Sequence, residues 1–207
     1  MIANHIHHAL AQVRELQQRV LESQRFRGYS GRARAMGGTA ALIGAVILSR
    51  GVYPGTDRAH LYGWAVVWLL GVSFNYGALL CWFLSEPGDK RDLRQLLPAV
   101  DQVFPLLVGG ILTLSMVLGG QYPYLFGIWM CLYGLANLSA RWVMPRAVIP
   151  LGLYYIAAGA LCLLVPGLSF TNPWPMGLVF FTGELIGGFI FFFNRNPAAS
   201  LRAFFGF

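Results

Sequence analysis

Two long stretches of this chain carry almost no charge. Asp101 is the one formal charge between Gln95 and Ala140, and Glu184 is the one between Ala147 and Asn194. At about 20 residues per bilayer crossing, each stretch is long enough for two crossings. Hydrophobic residues make up 57% of the 207 positions and charged residues 11%, whereas soluble domains average roughly 25% charged. A single soluble core has no room for that much apolar side chain, so the expected solvent for most of the chain is lipid.

Six hydrophobic spans are expected, near 36–52, 60–84, 96–118, 121–139, 147–165 and 174–193. Only Gly119 and Gly120 separate the third from the fourth, which requires a tight antiparallel hairpin. The expected fold class is therefore all-α, an integral membrane helical bundle of about six transmembrane helices. Charge gives the orientation. With the N-terminus in the cytoplasm, the inner segments hold Arg14, Arg19, Arg25, Arg27, Arg32 and Arg34, then Lys90, Arg91 and Arg94, then Arg141, Arg146, Arg195 and Arg202. That is 13 of the 15 basic residues, with Arg50 and Arg58 left outside. Lys and Arg stay preferentially on the cytoplasmic side, so both termini are expected there and the number of spans is even. The net charge of +7 then reads as a basic rim facing anionic headgroups, with no nucleic acid expected. Tyr53, Tyr62, Trp64, Tyr122, Tyr124, Trp142 and Trp174 fall where an interfacial aromatic belt belongs.

Residues 1–35 differ from the rest. Ile6, Leu10, Val13, Leu16 and Val20 recur at helical spacing on one face of a polar segment over 5–27. Glu15 and Arg19 add a favourable pair four residues apart. This reads as an amphipathic cytoplasmic helix for the membrane surface, a partner helix or the protein's own loops. Gly28, Ser30 and Gly31 break it. The expected organisation is 1–35 cytoplasmic helix and basic linker, 36–194 six-helix bundle, and 195–207 short cytoplasmic tail. The first 35 residues contain no apolar core of a cleavable signal, so the first hydrophobic helix is expected to direct insertion.

Glu184 is the most informative polar residue. It lies halfway along the last span, where an ionised carboxyl is costly, so it should face the bundle interior and be paired or protonated. It reads either as a proton or cation site or as hydrogen-bonding glue between helices. Asn75 and Asn137 are candidate partners at similar depth. Asp101, one turn into the third span, is expected to cap that helix, pair with an Arg or belong to an inner gate. These four, Glu184, Asn75, Asn137 and Asp101, form the candidate intramembrane polar site.

Other features carry less chemistry. Cys81, Cys131 and Cys162 lie apart in apolar segments and read as small buried hydrophobes. His5, His7 and His8 read as a solvated start, and His60 stands alone. No metal or cofactor is expected. Gly37-Gly38, Gly109-Gly110, Gly187-Gly188 and the Gly183/Gly187 pair mark close helix contacts, within the chain or between copies. The 86–94 loop reads as a solvated turn. A weak Gly/Pro repeat pairs the spans into three hairpins turning on the outer side. No phosphate-binding glycine loop, HExxH, GxSxG or CxxCH is present, so no covalent chemistry is indicated and the chain reads as no enzyme.

Three stretches carry a family resemblance: Val13-Arg-Glu-Leu-Gln-Gln-Arg19 with Gln24-Arg-Phe-Arg-Gly-Tyr-Ser-Gly31, Phe104-Pro-Leu-Leu-Val-Gly-Gly110, and Trp129-Met-Cys-Leu-Tyr-Gly-Leu-Ala136. With the overall layout, they resemble a group of uncharacterised bacterial multi-spanning membrane proteins that carry a cytoplasmic helix before the first span. Such proteins are often encoded beside a small winged-helix regulator, and the resemblance brings no catalytic residues with it. Arg25-Phe-Arg27, Tyr29 and the outer loops depart from the pattern. The expected function is a non-enzymatic accessory, regulatory or structural protein of the inner membrane. It would act through a protein partner or as a homo-oligomer, using the N-terminal helix or the glycine-rich faces. The alternative is a small proton- or cation-coupled transporter or channel centred on Glu184.

Overall fold

The structure, a computed structural model, describes residues 28–87, 96–165 and 167–206. The amphipathic helix expected over 5–27, the histidines His5, His7 and His8, and most of the 86–94 loop lie outside the described residues. All regular structure among the described residues is helical. It comprises α1 (Gly31–Leu48), α2 (Asp57–Ser85), α3 (Leu97–Leu118), α4 (Leu125–Ser139), α5 (Val148–Leu164), α6 (Trp174–Arg195) and a short α7 (Leu201–Phe205). A 3-10 turn, Tyr122–Tyr124, leads directly into α4. Local chemistry sets the ends. The Ser30 hydroxyl accepts the Ala33 amide to start α1, and Thr56 does the same for Ala59 at α2. Gly120, at φ 69°, makes the reversal between α3 and the 3-10 turn that the Gly119-Gly120 pair predicted.

The six longer helices fall in the six segments expected from hydropathy, but their membrane character is unequal. Asp57–Ser85, Ala99–Leu118 and Trp174–Arg195 are long and apolar enough to cross a membrane, and Val148–Leu164 is apolar but shorter. The two helices left fall short for identifiable reasons. α4 holds only 15 residues because its start is wound as the 3-10 turn. α1 begins at Gly31 rather than near 36, so its first turn takes in Arg32 and Arg34. Where the apolar surface lies is informative. Only 6% of the apolar window of α2 and of α3 is buried in the protein, against 39% in α6. Apolar helices that turn outward in this way are matched to lipid, not water.

The helices pack in the spatial series α2, α1, α6, α5, α4, α3, leaving α2 and α3 at its two ends. Alternating chain direction brings like ends together. We call the end at the start of α1 the lower end and the opposite one the upper. At the upper end Ala45, Leu48, Trp64, Leu125, Phe126 and Phe170 form an apolar cluster. At the lower end Tyr29, Leu79, Ala99, Met144, Val148 and Phe191 form another. Between these two plugs lies the polar interior.

Glycines make the tightest crossings. A Cβ on Gly31 would strike the Gly188 carbonyl, and one on Gly188 would lie 2.6 Å from the Gly31 carbonyl. A Cβ on Gly38 would lie 2.7 Å from Glu184 Cβ. The same reciprocity joins α4 to α5 through Gly127 with Gly159 and Gly134 with Gly152. Gly37-Gly38 and Gly187-Gly188 are therefore engaged inside the chain, chiefly between α1 and α6.

Two sequence expectations need correction. Trp64 is only 3% exposed and packs edge-on against Phe126, so it belongs to the upper core and not to an interfacial belt. Its ring joins the upper apolar cluster with Leu125, Phe126 and Phe170. Cys81 is exposed on the outer face of α2, while Cys131 and Cys162 are half-buried. An outward-facing cysteine is compatible with an apolar helix whose surroundings are lipid. The segment read as a short tail contains α7, whose Phe204 is buried against Phe189 at 4.6 Å between ring centroids. Arg32 holds α7 by donating to the carbonyls of Ala203 and of Phe204, the latter at 3.1 Å.

Candidate functional site

At the centre of the bundle, α1, α4, α5 and α6 each contribute a polar group to one cluster. Arg34 enters from the first turn of α1, on the face it shares with Gly31, Gly38, Ala41 and Ala45. With so little side chain on that face, α1 comes close to α6 and the guanidinium reaches up to Glu184. Arg34 Nε donates to Glu184 Oε2 at 3.0 Å and Nη2 to Oε1 at 2.8 Å. This is the bidentate geometry in which a planar guanidinium matches a carboxylate. Glu184 Oε1 also accepts the hydroxyls of Tyr133 at 2.9 Å and Tyr155 at 2.8 Å. Arg34 Nη1 and Nη2 donate to Asn137 Oδ1 at 3.1 and 3.0 Å, and Asn137 Nδ2 donates to the Tyr133 carbonyl. The Phe191 ring lies 5.4 Å from the guanidinium carbon and adds a cation–π contact.

The cluster is closed as well as buried. Arg34 is 5% exposed and Glu184 3%. Both carboxylate oxygens are engaged, and the two charges cancel. Buried charge is tolerated when it is paired and hydrogen-bonded in this manner. The glycines on either side of Glu184 supply the room. A Cβ on Gly187 would sit 2.8 Å from Arg34 Nε, and one on Gly183 would collide with the Tyr155 ring and hydroxyl. The Gly183/Gly187 motif thus admits side chains from α1 and α5 to the carboxylate.

Sequence reasoning paired Glu184 with Asn75 and Asn137. The structure brings Asn137 into the cluster through Arg34. Asn75 stays apart, its Nδ2 donating to the Gly71 carbonyl one turn back on α2. Asp101 is exposed on α3, α3 has no side-chain cap, and no described residue pairs with Asp101. Its neighbour Gln102 is the one that faces inward, accepting the Tyr29 hydroxyl. Burial raises the pKa of that phenol, so Tyr29 stays a neutral donor. Arg34, Tyr133 and Tyr155 were missed. Arg34 resembled a flanking cytoplasmic charge, and tyrosines in apolar helices resemble packing residues. The available signal was the small-residue stripe that continues from Arg34 through Gly38, Ala41 and Ala45.

Beside the cluster lies a cavity of about 420 Å³, walled by α1, α2, α3, α4 and α6. Its lower part carries Tyr29, Asn75, Tyr76, Gln102 and Asn137. Its upper part carries Leu61, Trp64, Trp129 and Met176. Arg34 and Glu184 are the charged residues on its wall, and each neutralises the other. Two buried polar atoms, His60 Nδ1 and Trp64 Nε1, have no partner among the described residues, and they lie one helical turn apart on α2.

Compared with protein-family models, curated proteins and solved structures, the chain shows no significant match to any of them.

Proposed function

We propose that this chain is a non-enzymatic accessory, regulatory or structural protein of the bacterial inner membrane that acts through partner proteins. In this reading all six longer helices cross the bilayer and both termini are cytoplasmic. α1 and α4 span with help from Arg34, which reaches inward, and from the 3-10 turn, which extends α4. The basic-residue asymmetry of the sequence supports the orientation. The resemblance to bacterial multi-spanning proteins with a cytoplasmic helix supports the membrane. The amphipathic pattern over 5–27, the short loops and the scarcity of polar groups along a path support the mode of action.

The observation that carries the reading is the saturation of Glu184. A carboxylate that couples proton or cation movement must change partners during its cycle. Here both oxygens are held by Arg34 and by two tyrosine hydroxyls. Such a group ties four helices together, which suits a scaffold. The competing reading, a proton- or cation-coupled transporter using Glu184, draws only on the neighbouring cavity. Because the glycine pairs of α1 and α6 are occupied within the chain, the N-terminal helix is the favoured contact for a partner.

Purification from native membranes in mild detergent, followed by mass spectrometry of what remains bound, tests this reading. The expected result is a stoichiometric protein partner that is lost on deleting residues 1–27 while the bundle stays folded. A truncated chain that keeps every partner, or a full chain with none, would contradict it.

A further inference from the structure

We propose that the cavity between α2 and α3 binds one uncharged, single-chain amphiphile drawn from the bilayer. Its hydrogen-bonding head would lie beside Asn75, Tyr76 and Gln102, with its chain running toward Trp64 and Trp129. At about 420 Å³ the space falls in the range typical of small-molecule pockets, roughly 300–1,000 Å³.

The cavity exists because side chains are absent where packing does not require it. The glycines of the α1–α6 and α4–α5 crossings have no room for a Cβ. Gly71 on α2 and Gly110 on α3 are different, since both line the cavity and a Cβ on either would meet nothing within 4 Å. α2 and α3 stand at opposite ends of the packing series, and no other described helix lies between them on that side of the cavity. Trp68 lines the cavity and is 58% exposed, on a helix whose apolar window is only 6% buried, so the cavity wall is continuous with the open surface of α2.

The wall selects the ligand. Antiparallel packing places most of the amide and hydroxyl side chains at one end. At the other, mainly apolar and indole end the Thr113 hydroxyl already donates to the Gly109 carbonyl and accepts from Trp129 Nε1. Among the described residues lining that end, Trp64 Nε1 is the one buried polar atom left to face a chain, a distribution that matches an amphiphile in one orientation. Asn75 Nδ2 already serves Gly71, which leaves the Asn75 carbonyl oxygen as an acceptor for a hydroxyl head. Charge decides against other lipids. Arg34 and Glu184 are the charged groups on the wall and satisfy one another, so a phosphate, carboxylate or ammonium head would be buried without a counter-ion. A hydroxyl or ester head meets no such penalty.

The inference rests on the bundle lying in a bilayer, which is tested separately by its resistance to alkaline extraction from membranes. The full chain is reconstituted in phosphatidylcholine nanodiscs and exposed to 1-monooleoylglycerol, sodium oleate or oleylamine at equal mole fraction. Molecules retained on the protein are counted by mass spectrometry after the bilayer is released. One monooleoylglycerol per chain is expected, with at least about tenfold less oleate and oleylamine. Gly71→Leu and Gly110→Leu add a side chain to the cavity wall at positions where a Cβ meets nothing within 4 Å, and each should abolish retention while leaving the melting temperature unchanged. If one variant fails to fold, the other carries the test. Equal retention of all three probes, no saturable retention of monooleoylglycerol, or retention undiminished in a folded Leu variant would overturn the proposal.

Discussion

Arg34, in the first turn of α1, and Glu184, halfway along α6, meet in a two-point ion pair with contacts of 3.0 and 2.8 Å. The pair joins segments 150 residues apart in sequence. Tyr133, Tyr155 and Asn137 complete it from α4 and α5, so four helices share one closed network. A buried network of this kind orients helices more than it adds net stability, because desolvation offsets much of the Coulomb attraction. The consequences can be read in variants.

The two tyrosine hydroxyls share one carboxylate oxygen. Tyr133→Phe or Tyr155→Phe removes a charge-assisted hydrogen bond, which should cost about 1.5–3 kcal/mol. Because Arg34 and the other hydroxyl still hold Oε1 in each single variant, the double variant, which lacks that support, should lose more than the sum of the singles. Thermal unfolding in detergent measures both quantities. Strict additivity would show that the hydroxyls act independently.

Glycines of one residue type should respond in opposite directions. Gly183→Ala drives a methyl into Tyr155, and Gly187→Ala drives one into the Arg34 guanidinium. Each should lower the melting temperature, with overpacking costs of about 1–3 kcal/mol. Gly77 sits inside α2, where a Cβ meets nothing within 4 Å. Gly77→Ala should be neutral or stabilising by up to about 1 kcal/mol through helix propensity. The same melting series decides whether the glycines divide in this way.

The C-terminal helix should behave as a separately docked piece. Phe204 fills a site between Phe189 and Phe192 while Arg32 holds the final carbonyls. In Phe204→Ala, amide exchange across 201–206 should rise at least about tenfold, with protection of α4 and α5 unchanged, as local opening allows. Exchange that rises throughout the bundle would mean that α7 is part of the global core.

Glu184 should not behave as a transport site. Proteoliposomes containing the chain should show no proton or cation flux above protein-free vesicles under an imposed gradient, and Glu184→Gln should change nothing. Flux in the wild type that disappears in Glu184→Gln would transfer the function to the transporter reading.

Much of this architecture was legible in the sequence, and for physical reasons. Hydropathy located the helices because apolar surface and lipid contact are the same property here. The Gly119-Gly120 reversal followed from backbone freedom. Glu184 was recognisable because a carboxyl in an apolar helix must be accounted for, and Asn137 followed from its depth. Arg34 was hidden because basic residues beside apolar segments read as flanking charges; Arg32 is exposed as that reading expects, whereas its neighbour two positions on is buried. Those two residues point to different sides of one turn, a distinction set by which face of α1 carries glycine and alanine. Tyr133 and Tyr155 gave no signal, since a tyrosine in an apolar helix packs like phenylalanine until its hydroxyl finds an acceptor. Asn75 shows the converse. It lines the same cavity as Glu184, but its amide turned to its own helix.

Arg34 and Glu184 form a fixed structural lock at the centre of the bundle. A double-mutant cycle with Arg34→Met and Glu184→Met, followed by thermal unfolding in detergent, tests it most directly. Each single variant strands a buried charge and should lose about 3–5 kcal/mol, whereas the double variant, with no charge to strand, should recover most of that loss. Two singles that melt like the wild type, or a double variant as unstable as their sum, would show that the pair does not hold the bundle together.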